Sequence, residues 1–222
     1  MHRIHKAAII AGFFLGIMVV VYGKDLKPAL NNVVESLEQL IAIKNSDLSS
    51  TEKDSIETEA KKTAFNRILE LSIEEVKNLK KKLEQFSNFP KEEFILLNQS
   101  YVSSLSDYQS YYELVRQQVN KNISLNELVD LAQKLQNWRE TNYHKQINKI
   151  TNFILIIQNQ SILQVTENRL RKISRDSKAI KSLLKITKWN EADALLEEAG
   201  GFVKKARKIN EDAQDLFLDQ EV

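Results

Sequence analysis

The chain reads as all-α: an N-terminal hydrophobic helix followed by an elongated bundle of about five long helices with coiled-coil-like seams. Three observations point there. Beyond residue 23 only two Gly (Gly200, Gly201) and two Pro (Pro28, Pro90) remain, too few to turn a chain repeatedly between strands. Leu, Ile, Lys, Glu, Gln and Asn dominate, and most of these favour helix. Apolar residues also recur at steps of three and four rather than two.

The first element is the N-terminal segment, residues 1–23. Arg3 and Lys6 precede an uncharged apolar run from Ala7 to Tyr22, the layout of a secretory signal. The run is shorter than the roughly 20 residues that span a bilayer comfortably. Two readings therefore stay open: an anchor retained through residues 7–22, or a signal cleaved before Lys24. Both place residues 24–222 outside the cytoplasm, as an extracytoplasmic helical bundle. Gly12 and Gly16 form a G-x-x-x-G spacing that would let two membrane helices approach closely, a candidate homodimer contact.

The next helix is expected over about 26–45, with Leu26, Leu30, Val33, Leu37, Leu40 and Ile41 on one stripe and Pro28 in its first turn. A polar break follows, and Ser49 with Glu52 has capping-box spacing for a helix running to about Phe86. Its candidate inner positions are Ile56, Ala60, Ala64, Ile68, Leu71, Leu79, Leu83 and Phe86, and Pro90 marks its end. From Lys91 to Asn120 the sequence steps through Phe94, Leu97, Tyr101, Leu105, Tyr108, Tyr112, Val115 and Val119, a heptad seam. Ser124 and Glu127 offer a second capping box. The stretch 125–186 then lacks Gly and Pro and would extend about 90 Å as one helix. A bend is expected near Thr141–His144, where the apolar repeat lapses. The last helix, from about Trp189–Asn190 to Leu218, carries the seam Ala192, Leu195, Ala199, Phe202, Ala206, Ile209, Ala213 and Leu216, with Leu105 and Ile209 both expected as core contacts. Gly200–Gly201 reads as a close-contact point or hinge rather than a terminator.

Composition limits the chemistry. The 32 Lys plus Arg nearly balance 30 Asp plus Glu, unlike the concentrated positive charge of a nucleic-acid binder. With no cysteine, disulfides, thiolate nucleophiles and cysteine-based zinc sites are excluded. One histidine, His144, lies beyond the N-terminal segment, one helical turn from Glu140. A helical di-iron site needs several carboxylates with paired histidines, so a solvated Glu–His pair is the expected reading. No base stands ready to activate a serine, and adjacent acids such as Glu74–Glu75 point to different sides of a helix. The chain is accordingly expected to be no enzyme and to need no cofactor or metal.

The basic run from Arg169 to Lys188 has an apolar face containing Ile173, Ile180, Leu183 and Leu184. Arg175, Lys178, Lys181 and Lys185 lie opposite and are candidates for contact with an anionic surface. The plainer expectation is a solvated outer face, balanced by C-terminal acids such as Asp212, Asp215 and Asp219. These features predict a membrane-tethered or secreted helical scaffold that contacts a protein partner at the cell envelope. The alternative is an extracytoplasmic ligand-sensing bundle working with a separate signalling subunit.

Overall fold

The computed structural model describes residues 26–46, 50–121, 123–184 and 190–221. These residues form α1 (Lys27–Lys44), α2 (Ser50–Glu84), α3 (Glu92–Val119), α4 (Leu125–Trp138), a π-helical turn (Arg139–Tyr143), α5 (His144–Leu183) and α6 (Asn190–Asp219), with no strand among them. Because α4, the π turn and α5 follow without a break, the described residues make five helical rods. The hydrophobic segment at residues 1–23, with Gly12 and Gly16, lies outside the described residues, as do Ser49, Lys185 and Trp189. No described helix is long and apolar enough to cross a membrane.

Local chemistry sets the helix ends. Pro28 sits in the first turn of α1, where its missing N–H removes no helical hydrogen bond. At the start of α4 the Ser124 hydroxyl accepts from the Glu127 amide at 3.3 Å, and the Glu127 carboxylate accepts from the Ser124 amide at 2.7 Å. This reciprocal box satisfies two amides that the helix itself leaves unpaired.

The helices divide into two compact units. The first draws on the chain up to Gln85 and on Asn98–Thr151; the second draws on Phe86–Leu97 and the chain from Asn152 onward. In the first unit α1 packs along α2, burying Leu26 and Val33, while Ile41 is exposed despite its place on the expected stripe. The α2 core positions Leu69, Val76, Leu79 and Leu83 are almost fully enclosed, as are Tyr101, Leu105 and Tyr112 of α3. The heptad seam of α3 is therefore a true core face.

The π turn explains the lapse near Thr141. Leu135, Arg139, Tyr143 and Ile147 are all buried although they follow one another in steps of four. In an ideal α-helix each such step drifts by about 40°. One wider turn, closed by His144 N–H donating to the Arg139 carbonyl, takes up that drift and keeps the four side chains on one face.

In the second unit Phe94, Phe153 and Phe217 form an aromatic core with ring centroids 5.7–6.4 Å apart. Here the expected seam of α6 is corrected. The buried residues of α6 are Asn210, Gln214 and Phe217, whereas Leu195, Phe202, Ile209 and Leu216 are exposed. Ile209, expected as a core contact, is 59 % exposed. The helix turns its amides inward because Asn210 and Gln214 both donate to the Gln160 side-chain oxygen of α5, at 3.1 and 3.3 Å. Gly200–Gly201 lies within continuous helix. A Cβ at Gly200 would meet Leu170 at an ordinary 3.8 Å and one at Gly201 would meet nothing within 4 Å, so neither position demands glycine.

Candidate interaction surface

Two features stand out beyond ordinary packing: a buried polar knot in the first unit and an open apolar face in the second. The knot centres on Glu75 of α2, which lies between Leu71 and Leu79 on the buried stripe. Its carboxylate accepts a hydrogen bond from the Tyr143 hydroxyl at 2.8 Å. Arg139 donates to the Ser72 hydroxyl at 3.1 Å and to the Tyr112 hydroxyl at 2.5 Å, with its guanidinium 4.6 Å from the centre of the Tyr143 ring. Burial pushes the Glu75 carboxyl above its ordinary range, against the lowering pull of Arg139 and the Tyr143 hydrogen bond. Burial likewise raises the phenols of Tyr112 and Tyr143. Each buried charge thus has its partner, as a low-dielectric interior requires.

The spacing of the sequence places Glu74 and Glu75 on different sides of α2, and the structure agrees: Glu74 is exposed and Glu75 buried. The burial of Glu75 was legible as a charge interrupting an apolar stripe, and Arg139 interrupts its own stripe in the same way. The geometry of the knot is that of a structural clasp. Nearby, Glu140 accepts from Gln136 at 3.0 Å, and burial pushes the half-buried His144 below its ordinary value. Among the described residues no group of three or more His, Cys, Asp or Glu comes together to hold a metal.

The second feature is a surface built by the antiparallel pair α5 and α6. Their register is pinned by Lys181 with Asp193 at 2.8 Å, by Leu170 beside Gly200, and by Arg207 donating from Nε to Glu167 at 2.6 Å. These contacts, with the Gln160 amide cluster, occupy one side of each helix. At 100° per residue, the apolar residues of α5 (Leu155, Ile162, Ile173, Ile180) and of α6 (Leu195, Phe202, Ile209, Leu216) then turn to the same side of the pair. All eight are exposed, Ile162 by 62 % and Phe202 by 65 %. Between the helices runs an open groove of about 640 Å³, walled by Leu155 and Ile162 on one side and Ile209 and Leu216 on the other. Ala206 and Ala213 line it too, and small side chains there keep it open. The run of exposed apolar residues along both helices sets this face apart from apolar residues exposed singly.

The anionic-surface candidates lie in different settings. Arg175 and Lys178 are exposed, Lys181 is held by Asp193, and Lys185 lies outside the described residues. The apolar side of that helix is likewise uncovered at Ile173, Ile180, Leu183 and Leu184. No protein-family model, curated protein or solved structure matches the chain.

Proposed function

We propose that the protein is a non-catalytic helical scaffold of the cell envelope, working by protein–protein contact through the open face of α5 and α6. The observation that carries this reading is the groove between Ile162 and Ile209, flanked by exposed apolar residues along both helices. Covering such a face releases it from water at roughly 25 cal/mol per Å² of apolar area, which favours a helical partner over continued exposure. The envelope location rests on the apolar run Ala7–Tyr22 behind Arg3 and Lys6, which suits export with either retention or cleavage.

The test places a photo-reactive amino acid at position 162 or 209 of the full chain in living cells, with position 175 as the exposed control. Protein adducts from 162 and 209, but not from 175, are the expected result. Adducts to lipid alone, or none at all, would sink the reading.

A further inference from the structure

Resting on that contact reading, we infer that the occupant of the α5–α6 face is the same face of a second copy, closing a four-helix homodimer. The charges along the two edges of the face favour a second copy. On the wheel, Arg169 and Lys172 flank the apolar stripe of α5 on its edge away from α6, against Asp176. The corresponding outer edge of α6 carries Glu191, Glu198, Asp212 and Asp219, against Lys205. One edge of the face is thus net positive and the other net negative. A two-fold axis parallel to the helices lays α5 of one copy over α6 of the other and brings unlike edges together.

The register of the two helices suits the same symmetry. The contacts Lys181–Asp193, Leu170–Gly200 and Arg207–Glu167 show which residues of α5 and α6 share a level. A two-fold axis along the helices preserves those levels. Leu155 then meets Leu216 of the second copy, Ile162 meets Ile209, Ile173 meets Phe202, and Ile180 meets Leu195. Lys172 comes level with Glu198 of the second copy, twice by symmetry.

The area of the face is that of a specific interface. The matched levels from Leu155 to Ile180 run about 38 Å at 1.5 Å per residue. With two helices 8–10 Å apart, the face covers roughly 700 Å² on each copy. That is close to the roughly 800 Å² per partner of a specific protein interface. An anionic lipid surface fits less well, because Glu191, Glu198, Asp212 and Asp219 border the apolar stripe and would face the headgroups.

The absence of cysteine makes the test clean. Two tagged forms of the full chain, one Lys172→Cys and one Glu198→Cys, are co-expressed and treated with a short bis-maleimide. A 172–198 cross-link between the two tags is expected, with at least tenfold less from an Arg175→Cys and Glu198→Cys pair. Adding Ile162→Asp to both forms should remove it, while circular dichroism stays helical because position 162 is exposed. The charge reversals Lys172→Glu and Glu198→Lys should each weaken association of the uncross-linked chain severalfold and restore it when combined.

Absence of the 172–198 product, or its replacement by 172–172 and 198–198 products, overturns the proposal. If positions 162 and 209 still photo-cross-link to a different protein, the contact reading survives without the homodimer. If the chain instead sediments with phosphatidylglycerol vesicles through this face, a lipid surface is the occupant and both readings fall.

Discussion

Tyr143 donates a hydrogen bond to Glu75 at 2.8 Å across 68 residues of chain, in the buried interior of the first unit. Arg139, from the same π turn as Tyr143, supplies the opposing charge. Removing one member of a buried charged set leaves the other uncompensated, at a cost of about 3–5 kcal/mol. Glu75→Leu and Arg139→Met should each destabilise by about that amount. The double variant should lose clearly less than their sum, because neither charge is then left alone. Urea unfolding of the four proteins measures this coupling, and strict additivity would mean that the two side chains do not share one clasp.

The raised carboxyl of Glu75 also gives a pH dependence of definite sign. The folded state holds this proton more tightly than the unfolded chain, whose value is the ordinary 4.5. By linkage, the group's contribution falls as the pH rises from about 4.5 through the elevated folded value. Compared with Glu75→Gln, the wild type should therefore gain stability as the pH is lowered from neutrality towards 4.5, and level off below. Paired unfolding curves across that range would show it, and a relative loss on acidification would contradict the environment assigned to Glu75.

Core and surface apolar residues should separate sharply. Leu105 is fully enclosed, and Leu105→Ala should cost about 2–5 kcal/mol. Ile209→Ala, at an exposed site, should change the stability of the isolated chain by less than about 0.5 kcal/mol. The same Ile209 change should weaken whatever association the α5–α6 face supports. Thermal unfolding at low protein concentration isolates the first effect, and its concentration dependence reports the second.

Gly201 lies in the middle of α6 with nothing within 4 Å of an added Cβ. Alanine there should stabilise the helix by about 0.8–1 kcal/mol, from backbone entropy alone. The thermal midpoint of Gly201→Ala should rise; a fall would show that the position needs glycine for a contact made outside the single chain.

Export is tested separately. A fusion of residues 1–30 to a reporter active only outside the cytoplasm should be active, because Ala7–Tyr22 is continuous and uncharged. Intact mass of the native protein then separates a retained anchor from a cleaved signal. A reporter that stays inactive removes the envelope from the proposed function.

What the sequence determined by itself was local. Helix identity, the breaks at Asn45 and Pro90, the place of Pro28 and the Ser124–Glu127 box all depend on residues within about four positions of one another, and each stands in the structure. The irregular stretch around Thr141 was visible as well, although its form, a π turn, depends on which four side chains must face the core. Tertiary structure alone decided which faces are covered. The α6 stripe of Leu195, Phe202, Ile209 and Leu216 has the periodicity of a core seam, yet periodicity records only that a face is apolar. Burial is set by where Gln160 meets Asn210 and Gln214, a side-chain match between distant helices. The enclosure of Glu75 is of the same kind: an ionisable group is tolerated in the interior only where another segment delivers its counterpart, and Arg139 and Tyr143 reach it only once the chain has folded.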